Sequence, residues 1–131
     1  MRILAPLRGV TIRCFREAFA EELREAEIFE AVTPFIPALP GAGIVSDREL
    51  RMPQQIAITP QFIGKDPKAL REALRKASDI GFKTADLNAG CPYPMIRNKG
   101  RGSGLIKRPD LLEKMIEVGC SVMGEGAFSV K

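Results

Sequence analysis

The feature that most constrains this chain is alternation. Short apolar runs closed by proline or glycine are separated by segments whose apolar residues recur at helical spacing. The runs are Arg2-Ile3-Leu4-Ala5 before Pro6, Ile28–Thr33 before Pro34, Ile56-Ala57-Ile58 with Pro60 near its end, Thr84–Asn88, and Ala127–Lys131. Between them, Thr11 is predicted to cap a helix with Ile12, Phe15, Ala18, Phe19, Leu23 and Ala26 on one face, opposite Arg16, Glu17, Glu21 and Arg24. Asp66-Pro67 predicts a second helix start, with Leu70, Ala73, Leu74 and Ala77 buried and Gly81 as the stop. Pro109-Asp110 begins a third, carrying Leu111, Leu112, Met115 and Ile116. Residues 34–54 hold Pro34, Pro37, Pro40, Gly41, Gly43 and Pro53 and read as a long surface connection with one helical turn near Asp47–Leu50. Strand alternating with helix predicts an α/β fold with a parallel sheet, right-handed crossovers and chemistry at the strands' C-terminal ends.

The chain has no histidine, which removes Ser-His-Asp and Cys-His nucleophile pairs and His-ligated zinc. Its three cysteines, Cys14, Cys91 and Cys120, give neither a CxxC metal site nor an even disulfide set, so no metal is expected and a reducing cytoplasm suits them. No run approaches the ~20 apolar residues of a membrane span. Pro6 and Arg8 interrupt the N-terminal apolar run too early for a signal peptide. The net charge of +4 is local: from Asp86 to Asp110 the intervening residues include no acid but five bases, Arg97, Lys99, Arg101, Lys107 and Arg108. A loop so charged suits an anion or a phosphate backbone as well as solvent.

Asn88-Ala89-Gly90-Cys91-Pro92 falls where a strand meets its following loop, the usual place for reacting groups in parallel α/β folds. An ordinary thiol is mostly protonated at neutral pH and can donate a proton. Cys14 reads as helix packing, and Cys120 has no assigned role. Lys99-Gly100-Arg101-Gly102-Ser103-Gly104 has the small residues and cations of a phosphate cradle without the P-loop order.

Three stretches together resemble the tRNA-dihydrouridine synthases: Leu4-Ala5-Pro6-Leu7-Arg8-Gly9-Val10-Thr11, Pro60-Gln61-Phe62-Ile63-Gly64, and Asp86–Pro92 continuing through Lys99–Leu105. Leu7 stands where methionine is usual, Ile12 where aspartate is common, and Ala89 where Met or Leu is common; none of these removes a reacting group. The resemblance implies an FMN-dependent TIM barrel in which NADPH reduces the flavin and hydride passes to C6 of a tRNA uridine, reducing its C5–C6 bond. It makes Cys91 the proton donor to C5, places Asn88 on the base or flavin, and puts Gln61, Pro6, Leu7, Arg8 and Lys131 on the flavin. Arg97, Lys99 and Arg101 are then expected to face the RNA.

A full (β/α)8 barrel takes ~250 residues. Residues 1–131 are therefore expected to form an N-terminal half, the first four βα units plus the start of strand 5. The family's flavin histidine, phosphate loops and helical tRNA-binding domain have no residues here to map onto. Such a half is expected to turn over little, bind FMN weakly, and expose strand edges open to self-association. A dihydroorotate-dehydrogenase-like flavin enzyme is the nearest alternative, disfavoured by the cationic loop and by the Pro-Leu-Arg-Gly-Val-Thr start; a non-enzymatic half-barrel is another.

Overall fold

A computed structural model describes residues 2–41, 47–51 and 54–131. In chain order these form β1 (Arg2–Leu4), α1 (Arg13–Ala18), α2 (Ala20–Glu25), β2 (Ile28–Val32), β3 (Ile36–Pro37), α3 (Asp47–Leu50), β4 (Ala57–Thr59) and β5 (Gln61–Ile63). They continue through α4 (Pro67–Ile80), β6 (Ala85–Leu87), α5 (Pro94–Arg97), a 3-10 segment (Gly102–Lys107), α6 (Pro109–Met123) and β7 (Phe128–Val130).

All the strand pairs are parallel, in the orders β1-β2-β4 and β3-β5-β6-β7. These two sheets are lower and upper parts of one surface. Pro34 and Pro60 have no N–H to give a ladder, so each splits one strand path in two. Thr33 repairs the break. Its N–H donates to Thr59 O (3.0 Å), and its hydroxyl accepts from Gln61 N (3.0 Å) in place of a backbone carbonyl. The result, among the described residues, is five strand paths in chain order, a partial (β/α) barrel.

The two faces of this sheet differ, as the two-residue period of strands requires. Ala31, Ile58, Phe62, Ala85 and Leu87 pack outward with Leu23, Leu70, Leu74, Ala77, Met115 and Val118 of the helices. Each such buried large side chain contributes roughly 1.5–3 kcal/mol. The inner face is polar. Near the strand starts, Thr59 Oγ1 bonds Glu30 Oε1 and Thr84 Oγ1, each at 2.7 Å. Above that lie Gln61, Asp86 and Asn88.

Helix α4 is as the sequence predicts: Asp66 Oδ1 accepts from Lys68 N (2.8 Å) and Ala69 N (3.2 Å), and Gly81 ends it at φ 113°. On α6, Met115 and Val118 are buried, Leu111 and Leu112 only partly, and Ile116 is exposed.

Elsewhere the expectations need correcting. The first helix breaks at Phe19 into α1 and α2, and its N-cap is Ile12. Thr11 instead closes the preceding turn, accepting from Leu7 N at 2.8 Å. Arg16, expected on the solvent face, is 1% exposed. Its guanidinium donates to Thr11 O (2.8 Å) and Glu49 Oε2 (2.9 Å), a partner the helical pattern cannot reveal because it comes from α3. Ala18, Phe19, Ala26 and Cys14, expected in packing, are exposed. Residues 34–54 are not simply a surface connection: Ile36–Pro37 pairs with β5, and Ile36, Ala38 and Leu50 are buried. The helical turn at Asp47–Leu50 is present, while Gly43 and Pro53 lie outside the described residues.

Candidate functional site

The polar inner face is most tightly bonded at the C-terminal ends of β5, β6 and β7. Gln61, directly after Pro60, is a buried residue of β5, because the strand path resumes there. Gln61 Nε2 donates to Asp86 Oδ2 (2.7 Å), Asn88 Nδ2 donates to Gln61 Oε1 (2.8 Å), and Ser129 Oγ donates to Asp86 Oδ1 (2.6 Å). Asp86 and Ser129 face each other because they are register partners in β6 and β7. Burial pushes the Asp86 carboxyl above its usual value; the bonds from Ser129 and Gln61 and the charge of Lys131 oppose that.

Asn88 carries the network into the loop. Its Oδ1 accepts from Cys91 N (2.9 Å) and Gly90 N (3.3 Å), an Asx turn that holds the half-buried cysteine directly above the strand ends. The Gly-rich loop then folds back onto it. Ser103 N donates to Cys91 O (3.0 Å), and at Gly102 (φ 53°) an added Cβ would lie 2.7 Å from Cys91 O and 3.0 Å from Cys91 Cβ. Only glycine fits that approach. Ser103 Oγ and Arg101 Nε are buried beside this turn with no hydrogen-bond partner among the described residues.

The other sequence candidates surround this centre. Lys131 follows β7; its N–H donates to Leu87 O and its carbonyl accepts from Ala89 N, both at 2.9 Å. Pro6, Leu7 and Arg8 form the turn after β1, with Leu7 and Arg8 exposed and the Arg8 guanidinium 5.3 Å from the Phe35 ring centre. Arg97 and Lys99 are exposed, and no hydrogen bond joins either side chain to the amide network among the described residues. Arg101 turns instead into a cavity of about 500 Å³ that it shares with Lys65 and Lys68. A second cavity, about 590 Å³, lies at the opposite ends of the strands, against Phe29, Phe82 and Lys83. Cys120 is exposed on α6, away from the network.

Asp86, Ser129 and Thr33 were not singled out by sequence. A signal existed for the first. In Thr84-Ala85-Asp86-Leu87-Asn88 polar and apolar residues alternate strictly, which sets Asp86 on the same face as Asn88.

Parallel strands ending in a buried amide pair, a cysteine held just beyond them and a glycine-rich basic loop are matched over residues 3–122 by the dihydrouridine synthase (Dus) family model. The chain belongs to the dihydrouridine synthase family. Among curated relatives it is 34% identical over 117 residues to a probable tRNA-dihydrouridine synthase of Staphylococcus aureus (strain Mu50), an alignment covering 88% of this chain and 36% of the relative. The same coverage holds for a Staphylococcus epidermidis protein of that name at 34% identity, and for probable tRNA-dihydrouridine synthase 2 of Bacillus subtilis (strain 168) at 31%. The chain thus spans about a third of the length of these dihydrouridine synthases. Among the described residues no helix is long and apolar enough to cross a membrane, and no three His, Cys, Asp or Glu side chains converge as metal ligands.

Proposed function

We infer that these residues take part in reducing the C5–C6 bond of uridine in tRNA. The observation that carries this reading is the placement of Cys91: backbone-bonded to Asn88, packed under the Gly102 turn, and seated above buried Gln61 and Asn88. The residues fit FMN. Gln61 and Asn88 each keep one N–H free for the carbonyl and nitrogen acceptors of an isoalloxazine edge, Lys131 adds a cation, and Ser103 Oγ is buried with no hydrogen-bond partner among the described residues. Pro6, Leu7 and Arg8 would complete the flavin-facing rim. Bound FMN, recharged by NADPH, would supply the hydride that uridine C6 receives.

The chain's own residues do the rest. Cys91 delivers the proton to C5, so that one hydride and one proton add across the double bond. Asn88 orients the base through an N–H. Exposed Arg97 and Lys99 hold the phosphate backbone of a nucleotide turned out of its stack, since the C5–C6 edge of a stacked uracil is out of reach. Arg101 takes a phosphate only through the cavity it shares with Lys65 and Lys68. Five parallel strand paths make part of a barrel wall, and the 131 residues by themselves are expected to bind FMN weakly and turn over little.

Two proteins test this: the chain itself, and the S. aureus relative with its matching 117-residue segment replaced by this one. With FMN, NADPH and unmodified tRNA, dihydrouridine is expected from the hybrid and almost none from the chain alone. Cys91→Ala in the hybrid should cut turnover at least ~100-fold, the scale of a lost general acid. Undiminished turnover in that variant, or reduction of orotate in place of tRNA, defeats the reading.

A further inference from the structure

A primary amide can sit either way round, yet both amides here are fixed. Asn88 Oδ1 accepts from the backbone N–H groups of Gly90 and Cys91, which can only donate. Its Nδ2 therefore faces Gln61, which meets it with Oε1 at 2.8 Å. That turns Gln61 Nε2 toward β6, where Asp86 Oδ2 accepts at 2.7 Å, and Ser129 holds the other carboxylate oxygen at 2.6 Å. Gln61, Asp86 and Asn88 are all at most 5% exposed, so water does not compete for these bonds.

We propose that Asp86 is a positioning residue that sets the direction of this chain, so that Gln61 and Asn88 offer only N–H donors to the ligand above them. An ionised carboxylate only accepts, and it closes the chain at one end as the two backbone N–H groups close it at the other. Each amide nitrogen keeps one spare hydrogen, while Asn88 Oδ1 is already used twice. The complementary ligand edge is one of ring carbonyls and unprotonated ring nitrogens. An apolar residue at 86 would leave Gln61 Nε2 buried without an acceptor, and the amide would turn over to find one.

The inference rests on the flavin reading, and the test separates the two. Side-chain amide resonances of Gln61 and Asn88 are followed by 15N NMR in the chain and in Asp86→Leu, Asp86→Asn and Ser129→Ala, alone and during titration with FMN. In the native chain the Gln61 proton on Asp86 is expected downfield of a free amide. Asp86→Leu should return it to the free-amide position, move the Asn88 pair as well, and raise the FMN dissociation constant about tenfold, the size of one misdirected hydrogen bond. Asp86→Asn, which can offer oxygen or N–H, should give a smaller shift and about a threefold loss. Ser129→Ala should move the Gln61 resonance through Asp86. Should Asp86→Leu fail to fold, the isosteric Asp86→Asn and Ser129→Ala decide. Unmoved Gln61 and Asn88 resonances in folded variants would overturn the proposal. A native chain that shows the downfield proton but no response even to millimolar FMN, where weak binding still registers, would overturn the flavin reading and leave the amide chain standing.

Discussion

A single methyl group on Gly102 would meet the carbonyl oxygen and Cβ of Cys91 at 2.7 and 3.0 Å, on a backbone already at φ 53°. Neither neighbour is the loose end of a side chain, so the turn must shift. Gly102→Ala is expected to destabilise by about 1–3 kcal/mol, as strain at a left-handed position does, and to change the alkylation rate of Cys91. Urea denaturation and iodoacetamide kinetics would show both; an unchanged midpoint with unchanged alkylation would mean that the loop does not press on the cysteine. At this scale the sequence is legible where chemistry announces itself. Cys91, framed by Gly90 and Pro92, and Gln61 and Asn88 beside it can all be picked out. For Asp86 the alternation fixes the face but not the role, and Ser129 is not signalled at all, because the two act by lying opposite each other in β6 and β7, 43 residues apart in the chain.

Among the elements, the least foreseeable is the clamp between α1 and α3. Arg16 is nearly inaccessible, and Glu49 meets it with both its carboxylate and its backbone carbonyl (2.9 and 3.2 Å) while also accepting from Arg13 N (3.1 Å). Helical periodicity puts Arg16 among solvated charges, since a pattern within one helix is blind to an acid arriving from another. Removing one member of a buried pair strands the other. Glu49→Ala is therefore expected to cost about 3 kcal/mol or more, whereas replacing both, Arg16→Met with Glu49→Leu, should cost much less. Chemical denaturation of the single and double variants measures the difference. Equal losses in both would show that the pair acts through shape alone. By contrast, α4 is legible from end to end, because its cap, its apolar stripe and its Gly81 stop are all local.

For the molecule as a whole, the distribution of charge matters more than its total. The five bases between Asp86 and Asp110 all fall in the stretch between β6 and α6 that also carries Cys91, while the remaining residues nearly balance. If RNA lies there, replacing Arg97 and Lys99 with alanine should lower the slope of log affinity against log salt by about 0.7–0.9 for each phosphate no longer neutralised. Filter binding or fluorescence anisotropy of tRNA over a salt series reads that slope, and an unchanged value would remove those two side chains from the interface. The five-path order is readable from the alternation of runs. The joining of β2 with β3 and β4 with β5 is not, because it depends on the Thr33 hydroxyl standing in for a backbone group.

The two-residue period of these strands also bears on how the protein can change. Packing against the helices falls to Phe62, Ala85 and Leu87, and the buried polar network to their immediate neighbours Gln61, Asp86 and Asn88. Inheritance can therefore revise one set while leaving the other untouched. A library confined to polar residues at the inward positions of β5 to β7 would leave the helix-facing packing intact, whereas the same diversity shifted by one residue would empty the core and mostly yield insoluble chains.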